Sequence, residues 1–131
     1  MSESDSPSNH ERLEAWKQAV DLVVESYSIA RLLPVDERFA LAAQIRRAAA
    51  SIPANIAEGS ARSSPRERLR YLSIARGELS ELRTHFTVAE RLGYVNPAAL
   101  AGTRRLSVSV FRLINGLRRY VARKAGAVTS P

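Results

Sequence analysis

The stretch QIRRAAASIPANIAEGSAR, residues 44–62, decides the fold. On a helix of about 3.6 residues per turn it has three different sides, whereas a surface helix would have two. Because no division into one buried and one solvated face fits, we expect neighbours on more than one side of this helix. The apolar side carries Ile45, Ala49, Ile52 and Ile56 at the spacing of a packing seam. A second side, with small side chains, carries Ala50, Ala54 and Ala57. The polar side carries Gln44, Arg47, Ser51, Asn55 and Glu58.

Composition limits the class of protein. The chain has 131 residues, 45% of them hydrophobic and 25% charged, which is typical of one soluble globular domain. It has no cysteine, which excludes disulfides, thiolate metal sites and cysteine nucleophiles. No apolar run approaches the roughly 18 residues of a membrane span, and the N-terminus does not resemble a secretion signal. We therefore expect a cytoplasmic protein without a membrane segment.

The first helix follows a polar N-terminal tract. Residues 1–10 lack periodicity and are predicted to be a disordered tail. From residue 11 large apolar side chains recur at alternating steps of three and four, which predicts an amphipathic helix over residues 11–33. Pro34 ends it, because proline disfavours helical geometry in the residue before it. The expected seam consists of Leu13, Trp16, Val20, Val23, Tyr27 and Ala30.

The second helix, predicted over residues 36–58, contains the opening stretch. Asp36 is placed to cap its start, and Gly59 to end it in a left-handed conformation. Pro53 removes one backbone hydrogen bond inside this helix, so we predict a kink there. The alternative is a helix that ends at Ile52, but the apolar seam continues in phase beyond the proline, which favours one helix.

The third helix has a clear start signal. SPRE at residues 64–67 combines an N-cap serine, a proline at the first helical position and a glutamate three residues after the cap. We predict a helix over residues 64–92, closed by Gly93. Its apolar stripe consists of Leu69, Leu72, Leu79, Leu82, Phe86 and Ala89.

Asn96 and Pro97 repeat the cap and proline at the start of a fourth helix, predicted over residues 96–124, with a tail over residues 126–131. No run alternates apolar and polar residues long enough to predict a strand. Short loops make neighbouring helices antiparallel. Residues 11–125 are therefore predicted to be an all-α, antiparallel up-down-up-down four-helix bundle.

Three segments carry a family resemblance. LEAWKQAVDLV, QIRRAAASIPANIAEGSAR and SPRERLRYLSIARGELSEL resemble the four-helix bundle proteins known from intervening sequences of bacterial 23S rRNA genes, the S23-like family. The resemblance covers residues 13–94, and NIAEG with the upstream QIRRAA is its most specific part; no motif covers residue 100 onward. Ala54 stands where the family usually has a serine. The resemblance implies a bundle that assembles into a ring, a homopentamer, with a poorly defined molecular activity.

That family is also similar to the accessory protein of diversity-generating retroelements, a basic ring that works with a reverse transcriptase and nucleic acid. The resemblance therefore implies three kinds of partner: further copies of the chain, nucleic acid, and a reverse transcriptase or other processing enzyme.

Residues for catalysis or metal binding are not apparent in the sequence. A metal-carboxylate bundle needs Glu-x-x-His pairs from two helices, but His85 is the one histidine within a predicted helix and Glu81 precedes it by four residues. A serine without a partnered histidine has no general base. We therefore predict no catalytic residue, no metal, no cofactor and no enzymatic activity.

The polar and small sides of the second helix have two interpretations. The favoured one is that Arg47, Ser51, Asn55 and Glu58, with Ala50, Ala54 and Ala57, fix helix register or contact another subunit. In that case Asn55 would bond a partner such as Arg47. The alternative is a ligand cluster of Arg47, Asn55, Glu58 and Arg62.

The net charge of +7 lies entirely in the last quarter of the chain, where residues 92–131 carry seven basic residues and no acid. Arg105, Arg112, Arg119 and Arg123, here called the arginine stripe, fall on one arc of the fourth helix. The guanidinium group of arginine can donate paired hydrogen bonds to phosphate oxygens, so we predict that the stripe binds nucleic-acid backbone. The apolar side opposite the stripe carries Leu106, Val110, Leu113, Leu117 and Val121, and Arg104 and Arg118 are further candidate contacts.

A second interpretation of the stripe is a solvated face in a protein that uses arginine in preference to lysine. The chain would then be a purely structural or protein-interaction bundle with no nucleic-acid role.

Overall fold

The computed structural model describes residues 7–129 and the side chains of residues 9–126. It contains four α-helices and no strand within these residues. The helices are α1 (Pro7–Ala30), α2 (Leu41–Ser60), α3 (Pro65–Arg91) and α4 (Pro97–Thr129), and a 3-10 turn spans Val35–Glu37 between α1 and α2.

The four helices pack in a closed square. α1 packs beside α2 and α4, and α3 also packs beside α2 and α4, whereas the backbones of the diagonal pairs stay further apart within the described residues. Each helix therefore packs against its neighbours in sequence, and α4 closes the square against α1. The predicted four-helix bundle is confirmed.

The core is built on the seam of α2. Ile45, Ala49 and Ile52 are fully buried and Ile56 nearly so, as predicted. Pro53 lies inside a continuous α2 and is buried, so the alternative in which the helix ended before it is wrong. The predicted α3 stripe is also buried, except that Leu69 is only partly covered. The core side of α4 consists of Leu100, Val110, Ile114, Leu117 and Val121, with Leu106 and Leu113 partly buried beside them.

The predicted seam of α1 is wrong. Leu13 is 51% exposed, Trp16 41% and Tyr27 37%. Val20 and Val23 are half-buried, and only Ala30 of that set is buried. The helix instead faces the core with a second set of residues at the same three-four spacing: Ala15, Ala19, Leu22, Ser26 and Ile29. Small side chains on this side let α1 approach its neighbours closely, and the larger ones remain outside.

The start of α2 differs from the prediction. Asp36 lies in the 3-10 turn, and the N-cap position is Ala40, which has no side chain to cap with. Glu37 caps the helix instead, because its Oε1 accepts a hydrogen bond from the Leu41 backbone N–H at 3.2 Å. Its Oε2 accepts from the Tyr94 hydroxyl at 2.9 Å, which joins the two loops at this end of the bundle. The same bond raises the pKa of Tyr94 above its ordinary value.

Gly59 does not end α2 in a left-handed conformation. It is buried within the helix, and a Cβ built there would lie 3.1 Å from Tyr71 Cβ. The glycine therefore permits close packing of α2 against α3, a tertiary requirement rather than a local stop signal.

Both ends of α3 and the start of α4 agree with their local signals, whereas α1 ends at Ala30, earlier than predicted. The Ser64 side chain accepts from the Glu67 backbone N–H at 3.4 Å, and Gly93 has a φ of +79° after α3. Asn96 Oδ1 accepts from the Ala99 backbone N–H at 2.8 Å at the start of α4. α1 begins at Pro7, inside the predicted N-terminal tail, and α4 continues to Thr129, inside the predicted C-terminal one. Residues 1–6 and 130–131 of those tails lie outside the described residues.

Candidate nucleic-acid interface

The arginine stripe lies on the solvent side of α4. All four of its side chains are exposed, and they point away from the buried Val110, Ile114 and Leu117. Among the described residues, no carboxylate forms an ion pair with any of the four. The stripe is therefore a row of solvated positive charge along the outside of the bundle.

Two glycines of α4 leave room beneath the stripe. A Cβ at Gly102 would lie 3.8 Å from Arg105 Nη2, and one at Gly116 would lie 3.9 Å from Arg119 Nη2. Each guanidinium group is thus folded back towards the preceding turn of the helix. Both distances are ordinary van der Waals contacts, so alanine would fit at either position and would favour the helix by about 1 kcal/mol.

Arg104 and Arg118 are half-buried and reach towards α3. Arg104 Nη2 lies 3.3 Å from Glu90 Oε1 and 3.4 Å from Thr87 Oγ1. Arg118 donates from Nε to Ser73 Oγ at 3.3 Å. The six arginines singled out in the sequence therefore divide into the stripe and two residues that bridge the α3 and α4 helices.

A groove between α3 and α4 was missed by the sequence reasoning. An open cavity of about 400 Å³ is lined by Ser80, Arg83, Thr84, Thr87 and Arg104. Ser80, Arg83, Thr84 and Thr87 recur at steps of three, one and three, a polar arc of α3 that could have been noticed. The contribution of α4 was not visible, because nothing local to Arg104 indicates which helix it will face.

One aromatic ring lies along this groove. The Cζ atoms of Arg76 and Arg83 lie 5.6 and 5.8 Å from the centroid of the Phe111 ring. This distance allows cation–π attraction from both guanidinium groups. Phe111 itself is half-buried against the core, so it positions arginines and is not an open platform for a base.

The polar side of α2 does not form one cluster. Arg47 Nη2 lies 3.5 Å from Glu81 Oε1 on α3, and Asn55 Nδ2 donates to the Ser51 backbone carbonyl at 2.8 Å. Asn55 is therefore bonded within its own helix and not to Arg47. Glu58 pairs with Arg62 at 2.5 Å, and this bond raises the pKa of Arg62 above its ordinary value. The alanines at 50, 54 and 57 are exposed.

The exposed apolar residues of α1 form a second surface, here called the α1 face. It comprises Leu13, Trp16, Val24 and Tyr27, with the half-buried Val20 between them. Contiguous apolar patches on soluble proteins mark interaction sites more often than isolated apolar residues do. The α1 face is therefore the strongest candidate surface for another protein chain.

Among the described residues, no group of three or more histidine, aspartate or glutamate side chains is placed to hold a metal ion. His85 Nε2 lies 3.3 Å from Glu81 Oε1, the same oxygen that pairs with Arg47 on the α2 side of α3. Of the helices in the described part of the chain, none has the length and apolar character needed to cross a membrane.

Comparison with known proteins identifies the family. The family model described as "23S rRNA-intervening sequence protein" matches residues 11–116. The chain belongs to this family. The match extends past residue 94, where the recognisable motifs ended, so it includes Arg105 and Arg112 but stops before Arg119.

A solved structure supports the fold of the 23S rRNA-intervening sequence family member. A protein of unknown function from the S23 ribosomal protein family of Bacteroides thetaiotaomicron has 20% sequence identity and a TM-score of 0.77. The similarity covers 83% of this chain and 98% of that one. At this identity the likeness concerns the fold alone. No curated protein matches the chain.

Proposed function

We propose that this family member is a non-enzymatic, oligomeric bundle that binds nucleic-acid backbone through the arginine stripe. The observation that carries the proposal is the exposure of four arginines with no paired carboxylate among the described residues. From its first to its last arginine the stripe runs about 27 Å, at about 1.5 Å per residue. Over that length one strand of a B-form duplex presents about eight phosphates.

The chemistry of the stripe suits phosphate contacts without base recognition. Guanidinium groups make forked hydrogen bonds to phosphate oxygens and displace condensed counterions. Among residues 9–126, no exposed aromatic ring accompanies the stripe for stacking on bases, since Tyr120 and Phe111 are both half-buried. We therefore expect affinity for backbone with little preference for base sequence.

The salt dependence of binding tests this proposal. With four phosphate contacts, the affinity for a fluorescently labelled 20-base-pair RNA duplex should fall by about 10²-fold between 50 and 200 mM salt. Fluorescence anisotropy at both salt concentrations measures the change, and a second duplex of scrambled sequence should give the same values. An affinity that barely changes with salt would reject phosphate binding.

We also propose that copies of the chain assemble with one another, with five favoured by the family resemblance. The α1 face supports this, because burying Leu13, Trp16 and Tyr27 between subunits would remove their apolar surface from water. The exposed alanines of α2 lie on the helix that packs beside α1 and would allow close approach.

Replacing Trp16 with Asp should reduce the assembly to the mass of one chain, 14.4 kDa, because the charge would be buried at the interface. Light scattering at micromolar concentration measures the mass. Val88→Asp is a matched control, since Val88 on α3 is 40% exposed against 41% for Trp16, and it should leave the assembly intact. A monomer mass for the parent protein would reject assembly altogether.

A partner enzyme completes the proposal. We place the protein in the cytoplasm as an accessory subunit to an RNA- or DNA-processing enzyme, such as a reverse transcriptase, for which it holds nucleic acid by the backbone. The alternative is a purely structural or protein-interaction bundle. Nucleic-acid binding that does not change with salt would favour this alternative, with the α1 face as the interaction surface. A reverse transcriptase gene or an rRNA operon beside the coding gene would favour the accessory role.

A further inference from the structure

The groove between α3 and α4 has more positive than negative charge. Arg83 and Arg104 line its cavity, and Arg76 and Arg118 lie further along the boundary between α3 and α4. Glu90 at one end pairs with Arg104. Among the described residues, Arg76 and Arg83 have no ion pair. An arrangement of four guanidinium groups and one carboxylate is expected to attract an anion.

The opposite side of α3 is organised differently. There Glu81 pairs with Arg47 from α2, and Glu67 lies 3.9 Å from Arg62. On that side Arg47 and Arg62 are thus paired with carboxylates. Between α3 and α4, Arg104 is paired with Glu90, while Arg76 and Arg83 contact an aromatic ring and Arg118 donates to a hydroxyl group. General solubility does not require this asymmetry, because a solvated face is equally well served by mixed charges.

The guanidinium groups of the groove are held in place before any ligand arrives. The Phe111 ring supports Arg83, and Glu90 and Thr87 hold one nitrogen of Arg104. A guanidinium group has five N–H donors, so these contacts leave others for a ligand. The Ser80 hydroxyl has no hydrogen-bond partner among the described side chains and can donate as well. Preorganised donors lose less conformational entropy on binding.

We propose that the α3–α4 groove is a binding site for a phosphate group, held mainly by Arg83 and Arg104 with Ser80, Thr84 and Thr87 around it. The cavity of about 400 Å³ also has room for the nucleoside attached to such a phosphate. Successive residues of a helix point about 100° apart, so Arg104 and Arg118 in the groove adjoin Arg105 and Arg119 of the stripe. If the phosphate belongs to nucleic acid, the groove is part of the proposed function and rests on it. A free nucleotide is the other source of such a phosphate.

Two residues inside the groove allow direct measurement. Thr84 and Thr87 line the cavity, and the resonances of their methyl groups can be followed by NMR during titration with inorganic phosphate. Chloride at the same ionic strength is the reference titration. We expect saturable shifts of both methyl groups with phosphate and none with chloride.

The variants Arg83→Gln and Arg104→Gln should each weaken phosphate binding by about tenfold or more, because each removes a charge-assisted fork. Arg70→Gln is the matched control. Arg70 lies on another side of α3 with its Cζ 5.5 Å from the Tyr71 ring, so the change removes the same charge and a similar ring contact. Unchanged phosphate binding in both groove variants would overturn the proposal, as would an equal loss in the control.

Further titrations separate the sources of the phosphate. Adenosine monophosphate, but not adenosine, should shift the threonine methyl groups. If the site serves nucleic acid, a 5′-phosphorylated RNA strand should compete with inorganic phosphate. If it serves free nucleotides, that RNA should not compete, and the groove assignment stands.

A stripe variant keeps this test independent of the proposed function. With the stripe arginines 105, 112 and 119 changed to Gln, phosphate should still bind in the groove, whatever happens to duplex RNA. If duplex binding is lost while phosphate still binds in the groove, the assignments of the stripe and of the groove are both supported. If duplex binding is retained, only the assignment of the stripe is contradicted.

Discussion

Changing Arg105, Arg112 and Arg119 together to Gln should lower the affinity for duplex RNA by about 10²- to 10³-fold at 0.1 M salt. The expected loss is large because each phosphate contact contributes a factor that depends on the salt concentration. Three lost contacts should also make the slope of log affinity against log salt less steep by about 2.7. In an oligomer the loss would be greater, since every copy contributes the same stripe.

A charge-matched variant separates the stripe from the net charge. Arg31, Arg38 and Arg66 are exposed and lie outside α4, so changing all three to Gln removes the same three charges from other surfaces. This control should bind duplex RNA nearly as well as the parent, with nearly the same salt slope. Light scattering should show the same mass for both variants. If the stripe variant bound as tightly as the parent, the stripe would be a solvated face and the structural alternative would replace the proposed function.

The parts of the fold that were predictable are those with local signals. The α2 seam was visible because Ile45, Ile52 and Ile56 are large and have no competing apolar stripe beside them. The start of α3 was visible because Ser64 caps a backbone group only three residues away. In both cases the deciding contacts lie on one helix or within one turn, so spacing alone identifies them.

The α1 seam was not predictable by the same reasoning. That helix has two stripes with identical spacing, and side-chain size alone favours the one with the larger residues. The structure buries the stripe of Ala15, Ala19 and Leu22, since small residues allow close packing against two neighbours. Large apolar residues at Trp16 and Tyr27 are then left for an outside surface, which is itself a sign of a partner.

The groove could not be predicted because its residues come from two helices. Arg83 and Phe111 are 28 positions apart, and Arg118 and Ser73 are 45 apart. Local spacing places each on a helix face but does not say which faces meet. The role of Gly59 was misassigned for a related reason, since its contact with Tyr71 depends on the packing of α3 against α2.

The packing of the bundle itself can be tested at Leu79, which is fully buried on α3. Leu79→Ala should lower the free energy of unfolding by about 2–5 kcal/mol, because it removes apolar contacts and leaves a cavity that the helices cannot fully close. Urea denaturation followed by circular dichroism measures the change, at one protein concentration for all variants because assembly also contributes to stability.

Ile74→Ala provides the comparison on the same helix. Ile74 is 37% exposed, so its loss should cost about 1 kcal/mol or less, and alanine favours the helix slightly. The difference between the two variants isolates burial from helix propensity, since both replace a large aliphatic side chain with alanine. A Leu79 variant that unfolds no more easily than the Ile74 variant would show that α3 presents a different side to the core. The α3–α4 groove, whose lining residues lie beside that seam, would then have to be reassigned as well.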